Sequence, residues 1–485
     1  MARINTASRL PLRRNPVGPK GFAAPRHPAT IVVLGFAAII LIGTALLCAP
    51  LASRTGVSIH IVDAFFTAVS ATCVTGLTVV DTGAQFSFFG QVVILLCIQT
   101  GGLGLMTLTT VLLVATGRRL GIAERIHLRE SYHHSPTSNL KTLVQHIAAI
   151  TFLIEFTGAL LLAIYWTVNG TFMPWNALYH GVFHSVSAFC NAGFALYPDN
   201  FIRFQGDWFV QLVLSTLIIL GGLGFLVGLE ISVSVRQIWP WRLSGGPPSA
   251  STHRRLSLHT KLVLTVTTAL LAVGTISYYL LERNGSFRDM SESQALLNSW
   301  FCAVTARTAG FNTIDYTRMS GATLLCTMVL MFIGASPGST GGGIKTSTFG
   351  LLLIYGLFCW RGRSRLQVFK RSVPQETIDR ASSIVIAGIA VIIVAASFLI
   401  AVETKGADSP VSQIKFLPVL FETISAFGTV GLSLSLTPTL TLGGKFIVAA
   451  LMFIGRVGPL TLALALGSRQ QHPDYVYAEE NVMVG

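Results

Sequence analysis

The stretch Ser70-Ala71-Thr72-Cys73-Val74-Thr75-Gly76 returns three times along the chain. It reads Ser187-Ala188-Phe189-Cys190-Asn191-Ala192-Gly193, then Thr305-Ala306-Arg307-Thr308-Ala309-Gly310 with one residue fewer, then Ser425-Ala426-Phe427-Gly428-Thr429-Val430-Gly431. The closing glycines lie 117, 117 and 121 residues apart. Four copies at a nearly constant period mark an internal repeat. Each copy sits between two long apolar runs. The runs are 30–51 and 91–116, 147–166 and 207–230, 261–281 and 322–360, and 381–402 and 445–466. Each reaches the roughly 20 residues needed to cross a bilayer.

The predicted fold is therefore an all-α membrane protein with eight transmembrane helices. Four pseudo-repeats of outward helix, half-length pore helix, glycine loop and return helix surround one central axis. The half-helices are expected from about Asp63, Trp175, Ala295 and Phe416 up to the four motifs. A basic cytoplasmic arm occupies 1–29 and the repeats occupy 30–117, 140–238, 259–361 and 380–468, with a cytoplasmic tail over 469–485. The first apolar run, preceded by the basic Arg9–Arg14 segment, has the outline of a signal peptide, but the repeat requires it as a helix.

Composition agrees. The 485 residues are 52% hydrophobic and only 11% charged, against roughly 25% charged in soluble domains, so the apolar surface exceeds what a core can hold. The net charge of +14 invites a nucleic-acid reading, but most of the 34 Lys and Arg fall before the first run and in alternate loops. That bias places both termini and the basic loops in the cytoplasm, with the bilayer as partner and no nucleic acid. The seven cysteines lie in or beside apolar runs and form no disulfide framework.

Non-helical backbone at membrane depth survives only when protein buries it or it lines a watery path. Four glycine loops on one axis supply what a cation filter needs. Glycine frees the backbone to turn carbonyls inward, a carbonyl ring replaces an ion's hydration shell, and the half-helices aim their negative ends at the axis. The alternative, re-entrant loops of a secondary transporter, commonly comes as two inverted repeats rather than four parallel ones. A solute symporter would need a polar midplane cluster, and an intramembrane enzyme a nucleophile with its base; the sequence offers neither.

These motifs, together with Ser336-Pro337-Gly338-Ser339-Thr340-Gly341-Gly342-Gly343-Ile344-Lys345-Thr346, Met452-Phe453-Ile454-Gly455-Arg456-Val457-Gly458-Pro459-Leu460-Thr461 and the tail from Tyr475 to Gly485, resemble the Trk/Ktr/HKT potassium-uptake superfamily. The likeness runs from about Pro28 to Gly485 and is nearest the bacterial KtrB-type subunit. It implies potassium uptake across the bacterial cytoplasmic membrane, with potassium held at the carbonyls of Gly76, Gly193, Gly310 and Gly431. Thr75, Ala192, Ala309, Val430, Thr72, Cys73, Asn191, Thr308 and Thr429 complete the implied filter. Sodium-preferring plant relatives carry serine where this chain has Gly76, so potassium is the expected cargo and sodium the alternative, with no organic cofactor. The resemblance also implies a homodimer on a separate cytosolic RCK-type (KtrA-like) nucleotide-binding ring.

Gly338 to Thr346 superficially resembles a phosphate-binding loop, but Ile344 separates glycine from lysine and the flanks are membrane helices. The glycines instead break the longest apolar run below the third loop. The expected gate comprises Gly338, Gly341, Gly342, Gly343 and Lys345, with a passive kink as the alternative. Arg456 at membrane depth is expected to add a barrier below the filter or else to pair with Glu155 or Glu422. Arg307 is expected to bond loop carbonyls from behind. Glu155 is either a coupling-ion site or a structural partner. The glycines at 101–104 and 224–228 are read only as permitting close helix approach. His180 and His184, four apart, lack further ligands for a metal.

Overall fold

The structure, a computed structural model, describes residues 28–115, 136–238, 256–362, 366–404 and 416–458. The basic arm before Pro28, much of the basic loops and the tail lie outside the described residues. Apart from one two-stranded hairpin, the described chain is helical. The four half-helices are Ile61–Thr72, Pro174–Phe189, Glu292–Thr305 and Phe416–Gly428. Their starts are specified locally. His60 accepts a backbone N–H at the head of the first, Pro174 occupies the first turn of the second, and Ser291 with Gln294 forms a capping box on the third.

Each half-helix packs against a long helix that precedes it: Pro28–Leu47, Pro136–Val168, Leu258–Glu282 and Gln375–Thr404 in turn. Each also meets a helix from elsewhere in the chain. Phe88–Ala115 lies on Pro174–Phe189, Trp208–Leu223 on Glu292–Thr305, and Gly321–Phe332 on Phe416–Gly428. Leu442–Val457 lies on Ile61–Thr72, so the order closes on itself. The apolar clusters sit at these seams. One joins Phe66, Val69 and Leu77 to Phe427, Val448 and Met452, which are distant in sequence.

Among the described residues, three helices are long and apolar enough to cross a membrane alone: 144–168, 258–282 and 375–404. A fourth span arises if Trp208–Leu223 and Phe225–Ser232 count as one, although they meet at 101°. That bend departs from the sequence expectation of a continuous 207–230 helix. Gly224 takes φ 89° and ψ 145°, which no helix accommodates, so the glycine serves a break as well as close packing. The Leu442–Val457 helix ends in the same way at Gly458, φ 89° and ψ 137°. The long run at 322–360 divides into Gly321–Phe332 and Thr346–Trp360.

At the seam between the first and last parts of the chain, Lys445 Nζ lies 2.6 Å from Asp63 Oδ1, with side chains only 16% and 21% exposed. No covalent connection holds this seam, and partial burial makes the pair stronger than a surface ion pair. A double-mutant cycle on Lys445→Met and Asp63→Asn, followed by chemical unfolding in detergent, is expected to return an interaction energy of about 1–3 kcal/mol. A value near zero would mean that packing alone closes the seam.

Candidate ion pathway

The loops after the half-helices share one backbone solution. The residue at the head of each motif fastens the loop's end. Thr75 N–H donates to the Ser70 carbonyl at 2.8 Å, Ala192 to Ser187 at 2.7 Å and Val430 to Ser425 at 2.9 Å. In the shorter third loop, Ala309 N–H reaches the Thr305 carbonyl at 3.0 Å. The hydroxyls add a second tie. Ser70 Oγ and Ser425 Oγ each accept a glycine N–H, from Gly76 and Gly431, at 3.1 Å. Ser187 Oγ donates to the Phe194 carbonyl at 2.9 Å and Thr305 Oγ1 to that of Phe311 at 2.6 Å. Ser70, Ser187, Thr305 and Ser425 were not among the expected site residues. Their signal was the hydroxyl that opens every motif.

Two residues before each glycine the backbone is left-handed at a non-glycine residue: Val74 (φ 56°), Asn191 (60°), Thr308 (72°) and Thr429 (50°). Such a conformation costs roughly 1–2 kcal/mol per residue, and three of the four are β-branched, so the surroundings must impose it. The glycines follow at φ 92°, 70°, 75° and 92°. Positive φ at every second residue turns the loop in a way that ordinary extended chain does not.

The loops also close into a ring. A Cβ placed on Gly76 would strike the Ala192 carbonyl, and one on Gly193 would come within 2.9 Å of the Ala309 carbonyl. One on Gly310 would strike the Val430 carbonyl, and one on Gly431 the Thr75 carbonyl. Each glycine therefore abuts the residue before the next glycine, four times around. Asn191 bonds the Thr308 hydroxyl across two loops at 3.2 Å. The hydroxyls of Thr72, Thr75 and Thr429 are buried without partners among the described residues. Cys73, fully buried, caps the first half-helix.

Behind three of the loops, a glycine on the following helix presses on the carbonyl at the third motif position. Gly101 meets Thr72, Gly221 meets Phe189 and Gly455 meets Phe427, with no room for a Cβ. Of the glycines expected to permit close approach, Gly101, Gly102 and Gly224 do so, whereas Gly104 and Gly228 have open space where a Cβ would lie.

The 333–345 segment runs directly beneath the third and fourth loops. A Cβ on Gly341 would collide with the Thr308 hydroxyl, and one on Gly342 with that of Thr429. Its backbone is satisfied from inside the protein. Gly334 N–H donates to Ile344 at 2.8 Å, Ser336 to Gly222 at 3.0 Å and Thr340 to Gly221 at 3.2 Å, while Gly338 accepts from Phe225 at 3.1 Å. The break at Gly224 thus frees backbone groups that the segment uses. Gly343 is left-handed at φ 66°, and Lys345 Nζ donates to the Gly341 carbonyl at 2.7 Å.

Arg456, 2% exposed, reaches this segment. Its Nη1 donates to the Thr340 carbonyl and its Nη2 to the Gly101 carbonyl at 2.8 Å. The alternative pairing with Glu155 or Glu422 is not formed. Glu155 accepts from Gln99 Nε2 at 3.1 Å, and Glu422 from the hydroxyls of Ser433 and Thr437. Arg307 differs from expectation too. Among the described residues it makes no bond to loop carbonyls, and its Nε has no partner. It lines a cavity of about 20 Å³ with Thr267, whose hydroxyl is also unpartnered. The rest of its lining is apolar, from Ile218, Ile219, Leu271, Val304 and Ala335. His184 accepts the Leu196 N–H at 3.1 Å and stacks on His180 and Tyr197, a packing role.

The chain matches the TrkH family model, described as a cation transport protein, over residues 19–474. It is 37% identical over 465 residues to the potassium/sodium uptake protein NtpJ of Enterococcus hirae, covering 94% of this chain and 97% of that one. It is 38% identical to the Ktr system potassium uptake protein B of Bacillus subtilis, covering 92% and 94%. The crystal structure of the potassium transporter TrkH from Vibrio parahaemolyticus superposes with a TM-score of 0.67 at 19% identity, over 90% of this chain and 85% of that one, a likeness of fold. With a family model covering nearly its whole length and relatives aligned end to end, the chain belongs to the TrkH cation transport protein family and is a membrane transporter, not an enzyme.

Proposed function

We propose that the protein takes up potassium across the cytoplasmic membrane through a selectivity filter made by its four loops, in an eight-span body of four pseudo-repeats with both termini in the cytoplasm. The observation that carries the reading is the ring in which each glycine abuts the carbonyl before the next one. Its carbonyls, from Thr75, Ala192, Ala309 and Val430 and from the glycines themselves, are the dehydrating ligands, and the half-helix ends add negative potential. The relatives named for potassium uptake support the cargo. Sodium is the second reading, favoured by the Enterococcus hirae relative, which is named for both ions.

The 333–345 segment is the proposed gate. It lies under the loops, where it obstructs ions leaving for the cytoplasm, and Arg456 both anchors Thr340 and presents positive charge. A unit charge about 4 Å from a permeating cation opposes it by roughly 4 kcal/mol at an effective dielectric near 20. Regulation is proposed to come from a separate RCK-type ring that binds nucleotide beneath a homodimer of this chain.

Flux from proteoliposomes loaded with potassium, sodium or rubidium tests the cargo. Gly76→Ser is expected to raise sodium flux relative to potassium, because the new Cβ must displace the neighbouring Ala192 carbonyl. An unchanged ratio in folded protein would remove Gly76 from the filter. Arg456→Ala, or deletion of 341–343, is expected to raise potassium flux with selectivity retained; each 1.4 kcal/mol of lost barrier gives about tenfold. Abolished flux in folded protein, or selectivity altered before rate, would make the segment structural. In detergent the chain is expected to sediment as a dimer and its flux to respond to an added nucleotide-binding subunit, whereas a strict monomer indifferent to any such subunit would contradict the assembly.

A further inference from the structure

We propose that the hairpin between the Thr346–Trp360 and Gln375–Thr404 helices holds the phosphate headgroup of an anionic phospholipid; the choice of the cytoplasmic leaflet rests on the topology proposed above. Its strands, Gln367–Val368 and Arg371–Ser372, pair in register around a two-residue turn of Phe369 and Lys370. Both turn residues are left-handed, at φ 49° and 64°. Two-residue hairpins with two positive φ values strongly prefer Asn-Gly or another small pair. Phenylalanine and lysine are poor choices there, and Phe369 is 47% exposed, so burial does not explain its presence. A strained, exposed tip that carries a large aromatic and a cation points to what those side chains contact.

The base of the hairpin is firm. Leu366, Val368 and Ile378 are buried in one cluster, against Leu258, Leu351, Tyr355 and Phe358 of the neighbouring helices. The tip leans over Lys261, whose ammonium lies 5.9 Å from the centre of the Phe369 ring. Between them is an open cleft of about 590 Å³ lined by Lys261, Phe369, Lys370 and Arg371. Among the described residues three cations line it and no carboxylate does. Glu230 is committed to Ser257 at 2.8 Å, and Glu376 to Arg380 at 2.7 Å. Lys261, Lys370 and Arg371 form no ion pair with any described residue, so an anion completes the cleft.

Depth selects a lipid over a soluble anion. Lys261 lies in the first turn of Leu258–Glu282, a helix long and apolar enough to cross a membrane. Trp360, 89% exposed, closes the adjoining helix in the manner of an interfacial aromatic. The cleft therefore sits at headgroup level, with the exposed Phe369 ring beside it for the upper acyl chain. Basic pockets between helices on the cytoplasmic side take such headgroups.

The test uses the full chain in phosphatidylcholine nanodiscs with or without phosphatidylglycerol, and in detergent with inorganic phosphate. Phosphatidylglycerol is expected to raise the thermal midpoint and to be retained through purification. Lys261→Ala and Arg371→Ala should each weaken that binding about five-fold. Lys370→Gly provides the sharper outcome. It should raise the midpoint in phosphatidylcholine alone, by relieving the turn, while shrinking the phosphatidylglycerol shift. Equal midpoints in both lipids, variants that bind like the parent, or a full shift from inorganic phosphate would overturn the proposal. Loss of a cytosolic protein partner in these variants with lipid binding unchanged would also overturn it and assign the cleft to that partner. Potassium flux measured in the same preparations separates failure of this site from failure of the uptake reading.

Discussion

Four backbone segments meet so closely that none of their closing residues has space for a Cβ. A methyl group at Gly76, Gly193, Gly310 or Gly431 would collide with or press against the carbonyl of the adjoining loop, and each such contact leads to the next around the ring. This mutual exclusion explains the rest of the architecture. The loops are irregular and lie within apolar surroundings, so their polar groups must find partners in the protein. The opening serine or threonine of each motif meets that need with its own carbonyl and hydroxyl. The left-handed residues at 74, 191, 308 and 429 are the conformational cost, roughly 1–2 kcal/mol each, and the closed seam of helices holds them there.

The same requirement accounts for the second layer. A helix broken at Gly224 exposes backbone groups, and so does one interrupted over 333–345. The two breaks lie together and satisfy one another through Ser336, Gly338 and Thr340. Arg456 joins this layer to the Phe88–Ala115 helix by donating to two backbone carbonyls. A guanidinium used this way needs no carboxylate. It ties three regions distant in the chain to one point beneath the ring, which is why one residue can serve both as anchor and as barrier in the proposed mechanism.

Membership of the TrkH cation transport protein family fits this arrangement, because ion passage asks for well-placed carbonyls rather than for a nucleophile or a bound cofactor. Glu155, the one membrane carboxylate with an open reading, is held by Gln99 beside Cys190 of the second loop. It is placed to steady that loop from behind.

Much of this was legible in one dimension. The period of the glycine motifs marked the loops as equivalent, the apolar runs determined a helical membrane protein, and the stretches before the motifs located the half-helices to within a few residues, the third beginning at Glu292 rather than near Ala295. The interruption was legible too, over 336–346 in sequence against 333–345 in the structure, since consecutive glycines beside a lysine cannot hold a helix in lipid. What tertiary structure decided was where backbone groups and charges find partners. Gly224 and Gly104 hold the same place in their Gly-Gly-Leu-Gly stretches, yet only Gly224 breaks its helix, and its freed groups have the 333–345 segment opposite them. Arg456 bonds carbonyls rather than Glu155 or Glu422, and Arg307 faces a small cavity rather than the loop carbonyls, because helix packing sets those distances. Local composition specifies which conformations a residue tolerates; the fold alone specifies which neighbour makes the tolerated one necessary.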